Sequence, residues 1–243
     1  EKYICDPTIS SLFVVKEMEN SVESRSAQAI HESIMDHPNI PKICAIIDNK
    51  SNTIISIIEY LENSKELHKT PVSLENINIY IKNVLSVLSY VHSRNIAHND
   101  IKPTNIIFNE TTKQLFVIDW DLAVHFNDKE EVYSTENFMP YGTKIVSSGA
   151  RDIWAFGVTL YFLIQRECLD LEDLKEEYIY EYKSTPSPID KHDEPRILQL
   201  MIGMKIEELQ TTNPSLKLML TNMLIIDQEK IPKASELLEL FIR

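Results

Sequence analysis

Short runs of apolar and β-branched residues fill the first quarter of the chain, and this pattern predicts strands. The runs are KYICD at 2–6, SLFVVKEM at 11–18 and TIISIIEYL at 53–61, each bounded by polar or turn-forming residues. Between the second and third runs, residues 21–36 have a helical character, and HPNIPKICAII supplies a proline-containing connector and a further strand. The predicted order is therefore β-β-α-β-β.

From Pro71 onward, the apolar residues recur in steps of three and four, which is typical of helices. Residues 74–93 are predicted to form an amphipathic helix with Ser73 as its cap. The segment 150–165 is apolar nearly all round, which predicts a helix buried at the centre of a helical region. The remaining predictions are a short strand at 114–120, an exposed helix and loop within 169–196, and two amphipathic helices in 215–227 and 233–243.

Composition and charge indicate a globular domain and argue against some kinds of binding partner. The chain has 243 residues, of which 43% are hydrophobic and 25% charged, as in ordinary globular domains. Its formal net charge of −13 argues against a nucleic-acid partner, because phosphate backbones are bound by Lys and Arg. The apolar runs are too short for a membrane segment. The cysteines show no metal-ligand spacing, and an intracellular location, cytoplasmic or nuclear, is expected.

Two polar motifs follow the predicted helix 74–93. HNDIKPTNIIF occupies 98–108, and VIDWDLA occupies 117–123. An Asp, a Lys and an Asn at this spacing, followed by a second acidic motif after an apolar run, indicate a place where a metal and a phosphate are handled.

The order of FVVK, HPNI, EYL, HNDIKPTN, DWD and DIWAFG along the chain resembles the eukaryotic-type protein kinase family in a divergent, Ser/Thr-like form. The resemblance implies an α+β, bilobal fold. Its small β-rich N-lobe would comprise residues 1–61 and its larger α-helical C-lobe residues 62–243, together one kinase-like domain. The family's first strand and Gly-rich loop are not present, since all four glycines lie beyond residue 141. We expect that loop to lie upstream of Glu1.

The resemblance assigns the catalytic roles to the two polar motifs. Asp100 would orient the substrate hydroxyl, and Lys102 would neutralise charge on the transferred phosphoryl group. Asn105 and Asp119 would be the two protein ligands of Mg²⁺. Thr135 lies where the Ser/Thr-specific subgroup has a threonine that faces the catalytic loop.

The resemblance also implies an ATP site between the lobes. Lys16, in FVVK, matches the lysine that grips the α- and β-phosphates. The other residues assigned to the nucleotide are Val14 and Ile107 at the adenine, Ile58 at the back of the pocket, and Glu59 and Leu61 in the hinge.

The partner of Lys16 is open at this stage. The family pairs this lysine with a glutamate of the following helix, and the residue in that register here is Gln28. Loss of one helical turn would bring Glu32 onto the correct face. Alternatively, Glu32 is a surface residue and the ion pair is absent.

Several positions depart from the family pattern. Asn99 replaces the arginine that pairs with a phosphorylated activation loop, so phosphorylation there is not expected to be the switch. Some bacterial effector kinases share this Asn, which leaves the cytosol of a host cell as an alternative location. Asp121 replaces the usual glycine of the metal motif and adds a carboxylate near the metal. Tyr141 and Ile231 replace both members of a buried ion pair, so neither charge is left alone.

The function that these residues predict is transfer of the ATP γ-phosphate to Ser or Thr hydroxyls of a protein substrate. A regulatory or activating protein partner is plausible for a kinase that lacks the usual loop switch. One alternative is a pseudokinase that binds nucleotide or serves as a scaffold. A lesser alternative is a small-molecule phosphotransferase of the aminoglycoside or choline type, whose metal motif resembles IDWD.

Overall fold

A computed structural model describes residues 2–3, 12–49, 52–126, 135–142, 149–182, 189–209, 211 and 213–242. The strands are β1 (Lys2–Tyr3), β2 (Phe13–Glu19), β3 (Ile43–Asn49), β4 (Thr53–Glu59), β5 (Lys65–Glu66), β6 (Ile96–Ala97), β7 (Ile106–Phe108), β8 (Leu115–Val117) and β9 (Val124–His125). The α-helices are α1 (Val22–Ile34), α2 (Leu74–His92), α3 (Gly149–Gln165), α4 (Leu171–Tyr182), α5 (Glu194–Glu208), α6 (Pro214–Met223) and α7 (Ala234–Ile242).

The N-terminal region is an antiparallel sheet with the strand order β1-β3-β4-β2, packed with one helix. Residues directly opposite each other in such a sheet share a face. Val14 lies opposite Ile58 and Lys16 lies opposite Ser56, so the register of β2 and β4 groups these side chains. Helix α1 begins after Ser21, whose hydroxyl accepts a hydrogen bond from the Ser24 amide and caps the helix.

The C-terminal region is built around the apolar helix α3, in which every residue from Arg151 to Tyr161 is buried. Helix α6 packs closely on it at Gly157, where a Cβ would come within 2.9 Å of Met223 and Leu224. Helix α2 packs against α7, and β7 and β8 pair beside it with β5. This buried framework is the support on which the loops of the site lie.

The observed elements confirm most of the predicted ones. Helix α2 begins after Ser73, whose hydroxyl accepts from the Asn76 amide as predicted, and α3 begins within one residue of its predicted start. The predicted strand 114–120 is shorter, because Ile118–Trp120 leave the ladder to enter the site. Residues 4–6 and 11 of the first two predicted strands lie outside the described residues.

Helix α5 was not predicted, although its buried residues follow three- and four-residue steps. They are Leu198, Met201, Ile202 and Ile206. Its weak amphipathic contrast, with Gly203 in its middle and exposed Leu200, hides this pattern in the sequence. In the described ranges, every helix is too short or too polar to traverse a lipid bilayer.

The α+β class is confirmed, with a small sheet-containing N-terminal part and a helical C-terminal part. The four-stranded sheet ends at Glu59, and the next strand, β5, belongs to the three-stranded sheet. We propose on this basis that the lobes meet near Leu61, as residues 1–61 and 62–243.

Candidate active site

The loop between β6 and β7 is fixed from below by one buried carboxylate, Asp152 of α3. Its two oxygens accept hydrogen bonds from the backbone amides of His98 and Asn99, at 2.9 and 2.8 Å. The ring of His92 adds a third contact at 2.9 Å. Asp152 is fully buried, and although burial alone raises its pKa, these hydrogen bonds and charges hold that pKa below its ordinary value. A buried anion with this many donors locks the loop backbone.

His98 connects this loop to the strand that precedes the second acidic motif. Its Nδ1 accepts from the Asp100 amide at 3.2 Å, so its Nε2 carries the proton and donates to the carbonyl of Ile118 at 3.0 Å. The ring also lies against the indole of the buried Trp120, with centroids 4.5 Å apart. His98 therefore connects the loop of Asp100 to the segment that leads to Asp119.

Asp100, Lys102 and Thr135 form a closed triangle of hydrogen bonds. The Thr135 hydroxyl donates to one Asp100 oxygen at 2.8 Å and accepts from Lys102 Nζ at 2.8 Å. Lys102 Nζ lies 2.8 Å from the other Asp100 oxygen. Burial raises the pKa of Asp100, but the Lys102 and Thr135 contacts outweigh it, and the net pKa is lowered. Asp100 is thus ionised at neutral pH, and it is already in contact with a hydroxyl.

Asn105 and Asp119 are brought beside this triangle by backbone contacts. The amide group of Asn105 donates to the carboxylate of Asp100 at 2.8 Å and to its carbonyl at 2.9 Å, which leaves the amide oxygen as the acceptor. The Ile118 amide donates to the Asn105 carbonyl at 2.9 Å, so Asp119 follows directly. Asp119 has a left-handed backbone, with φ of 63°, as Asp tolerates.

These two oxygen donors have the chemistry that suits Mg²⁺, which takes few protein ligands and completes its shell with water and phosphate oxygens. Within the described ranges, His, Cys, Asp and Glu side chains form no cluster of three that could hold a metal. A metal bound here would therefore depend on the phosphates as well as on Asn105 and Asp119.

Lys16 reaches the second acidic motif from β2. Its Nζ lies 2.7 Å from Asp119 and 2.5 Å from Asp121, and all three side chains are partly exposed. Burial lowers the Lys16 pKa, but the hydrogen bonds and negative charges of the two aspartates raise it overall. The lysine is therefore cationic, and it is paired in this state with carboxylates of the metal motif.

A cavity of about 40 Å³ lies behind this ion pair. Its lining includes Lys16, Gln28, Ser56, Ile58 and Asp121. Gln28 donates from Nε2 to the Ser56 hydroxyl at 3.0 Å, so α1 presents a neutral amide to the cavity. Glu32 is outside the set of described residues that line the cavity, and its pairing with Lys16 stays a prediction.

The residues predicted at the adenine come from both parts of the chain, before and after Leu61 in the sequence. Val14 is 45% exposed opposite Ile58, and Ile107 is a partly buried residue of β7. The Glu59 amide donates to the Lys42 carbonyl at 3.0 Å. Of the Glu59 backbone groups, only the carbonyl would therefore be available for a hydrogen bond to adenine. Their roles in binding nucleotide stay predictions.

The positions that depart from the family pattern have other partners in this structure. The Asn99 side chain donates to the carbonyl of Leu122 at 3.0 Å. Burial and the nearby charge of Glu194 raise the pKa of the Tyr141 phenol, and Glu194 forms an ion pair with Lys175 at 2.9 Å. Ile231 is buried.

Sequence reasoning missed Ser56, His92 and the direct contact of Asp121 with Lys16. Ser56 had a detectable signal, since it lies at an inward position of β4 with only 2% exposure, where an apolar residue is usual. His92 had none, because its partner Asp152 is 60 positions away along the chain.

Comparison with known proteins gives the family. The protein kinase domain family matches residues 4–240. The chain is 34% identical over 141 residues to a probable casein kinase II subunit alpha homologue of Encephalitozoon cuniculi, covering 54% of this chain and 43% of that protein. It is 30% identical over 156 residues to a putative serine/threonine-protein kinase of Acanthamoeba polyphaga mimivirus, covering 56% and 55%. It thus spans about half the length of these curated relatives.

The fold agrees with this assignment. The solved structure of the Cydia pomonella granulovirus kinase PK-1 superposes with a TM-score of 0.72 at 19% identity, covering 95% of this chain and 86% of that one. The bilobal, kinase-like fold predicted from the sequence is confirmed. The chain belongs to the protein kinase domain family, whose members use ATP and a divalent metal.

Proposed function

We propose that this domain transfers the γ-phosphate of ATP to Ser or Thr hydroxyls of a protein substrate. The observation that carries the proposal is the contact of the ionised Asp100 with the Thr135 hydroxyl, with Lys102 bound to both. This contact supports the proposal because it shows that the Asp100 carboxylate can accept a hydrogen bond from an aliphatic hydroxyl. The name of the mimivirus relative, a putative serine/threonine-protein kinase, points the same way.

The chemistry assigned to these residues is direct transfer. Asp100 orients the hydroxyl and takes its proton as the oxygen bonds to the γ-phosphorus and the bond to the bridging oxygen of ADP breaks. Lys102 stabilises the negative charge on the phosphoryl oxygens. Asn105 and Asp119 would hold Mg²⁺, which neutralises phosphate charge when it is bound.

The nucleotide residues complete the proposal. Lys16 binds the α- and β-phosphates, Val14 and Ile107 enclose the adenine with Ile58 behind it, and the hinge backbone at Glu59–Leu61 recognises its edge. The proposed substrate is a basic protein, because the chain carries a net charge of −13. The Asn99 side chain donates a hydrogen bond to the Leu122 carbonyl and carries no charge that could pair with a phosphorylated loop. We therefore propose control by a protein partner rather than by loop phosphorylation.

The test is radiolabel transfer from Mg·ATP by the natural full-length protein, with itself and a generic basic protein as acceptors. The matched variants are Asp100→Asn and Asp119→Asn, and phosphoamino-acid analysis identifies the acceptor. We expect phosphoserine or phosphothreonine, and a loss of about 10²–10⁴-fold in each variant. Nucleotide binding without transfer would instead favour a pseudokinase. Phosphotyrosine as the product would contradict the Ser/Thr assignment.

A further inference from the structure

Lys16 forms ion pairs with both aspartates of the DWD motif at 119–121. In the family pattern, a glutamate of the helix after the lysine strand forms the ion pair. Here α1 presents Gln28 to the cavity beside Lys16, and the Gln28 amide is occupied by Ser56 at 3.0 Å. The carboxylate at the shorter distance from Lys16 is Asp121, at 2.5 Å.

Asp119 and Asp121 are not equivalent partners once a metal is present. In the proposed function, Asp119 is a metal ligand, so a divalent cation offsets its charge and weakens its attraction for Lys16. Asp121 then supplies the remaining negative charge at the lysine. The carboxylate of Asp121 would therefore keep a negative charge beside Lys16, which a glycine at this position could not supply.

The backbone around Asp121 is held firmly enough for a positioning role. Trp120, the preceding residue, is 2% exposed, and its indole nitrogen donates to the Val117 carbonyl at 3.2 Å. The Ala123 amide donates to the Trp120 carbonyl at 3.1 Å and closes the turn that contains Asp121. The carboxylate thus projects from a turn that is anchored in the core.

We propose that Asp121 is the positioning residue that holds Lys16 in place for the phosphates of the nucleotide. This inference rests on the proposed function, because it assigns Lys16 to ATP and Asp119 to the metal. It differs from a role of Asp121 as a metal ligand, in which the carboxylate would act independently of the lysine.

A double-mutant cycle on the full-length protein separates these roles. The variants are Asp121→Asn, Lys16→Met and both together, and the readout is the affinity for a nonhydrolysable Mg·ATP analogue by titration calorimetry. We expect Asp121→Asn to weaken binding about tenfold alone, the size of one charge-assisted contact, and to change little when Lys16 is already absent. An equal loss in both backgrounds would overturn the proposal.

A rescue experiment supplies the control for folding. Gln28→Glu places a carboxylate of the same length in the cavity that Lys16 and Asp121 line. We expect it to restore most of the nucleotide affinity and most of kcat/KM for ATP to the Asp121→Asn protein. A failure of rescue, together with a raised Mg²⁺ requirement in Asp121→Asn, would identify a metal ligand and overturn the inference.

The two proposals fail differently. If the wild type binds the analogue but transfers no phosphate, the proposed function fails while the calorimetric cycle still decides the role of Asp121. If binding and transfer are intact but the cycle is additive, this inference alone is overturned. If the wild type binds no nucleotide, both are overturned.

Discussion

The two halves of the candidate site are held by different kinds of contact. The catalytic loop rests on Asp152, a fully buried carboxylate with two backbone amides and the ring of His92 around it. Lys16, on the sheet side, is held by two carboxylates that are 43% and 44% exposed. Buried networks cost several kcal/mol to break, whereas exposed ion pairs contribute about 0–1 kcal/mol.

This difference divides the tasks between the halves. The loop that carries Asp100 is anchored to the buried Asp152 through two backbone amides, which restricts its conformation. Lys16 can leave Asp119 at little cost, so incoming phosphates and a metal can redistribute the charges at the sheet side. In the proposed function, the anchored loop would serve the chemical step and the exposed ion pairs would exchange with the nucleotide. The predictions below test that division.

Removing the charge of Asp152 should have the largest effect. Asp152→Asn keeps the shape of the side chain but leaves two amides and His92 without their anion, and we expect about 3–5 kcal/mol less unfolding free energy. Urea denaturation followed by circular dichroism measures it. A loss below about 1 kcal/mol would mean that the catalytic loop does not depend on this buried network.

The hydroxyl of Thr135 should matter for the reaction and little for the fold. Thr135→Val removes the hydrogen bonds to Asp100 and Lys102, and we expect the transfer rate to fall about tenfold while stability changes by less than about 1 kcal/mol. Thr135→Ser keeps the hydroxyl and serves as the control in the same assay. Equal rates for the valine and serine variants would show that the triangle has no catalytic role.

His31 of α1 should give the sheet side a mild acid sensitivity. Burial lowers its pKa and outweighs the hydrogen bond to the Pro41 carbonyl, which raises it, while the charges of Lys16 and Asp121 act in opposite directions. The unfolded chain, with a pKa of about 6.5, binds the proton more readily, so stability falls as pH drops through that value. Unfolding free energies between about pH 7.5 and 5.5 should fall less steeply in His31→Gln. Identical slopes for both proteins would refute this.

The smallest effect is expected at an exposed ion pair between β3 and α1. Asp48 lies 2.8 Å from Arg25, and both side chains are 56% exposed. Asp48→Asn should therefore change the unfolding free energy by about 0–1 kcal/mol, less still at high salt. Both variants replace an aspartate by asparagine, so the difference between their unfolding free energies measures the effect of burial. A loss as large as that of Asp152→Asn would remove the basis of the comparison.

The sequence predicted what depends on local pattern. Helix α2 and its Ser73 cap follow from periodicity and a capping residue, and the catalytic loop follows from the spacing of Asp100, Lys102 and Asn105. Contacts between distant segments could not be predicted in this way. Lys16 and Asp119 are 103 positions apart, and nothing in either motif indicates that Asp121 completes the pair.

The error of omission at α5 and the open question at α1 have different causes. The apolar pattern of α5 is weak because Gly203 lies in its middle and the apolar Leu200 is exposed. At α1, the helix was predicted correctly, but the face that it presents depends on packing against β4, where Gln28 meets Ser56. The periodicity of a helix can be read from neighbouring residues, whereas the element that each of its faces packs against depends on residues far away in the sequence.

Two residues of the site, Asn99 and Asp119, have left-handed backbones, with φ of 64° and 63°. Only glycine, asparagine and aspartate adopt this conformation readily. The backbone therefore favours short polar residues or glycine at these two positions, although Lys113 and Arg166 of the same chain adopt it too. A substitution such as Asn99→Asp, which suits this backbone, would therefore report on the side chain at position 99 separately from the conformation of the loop.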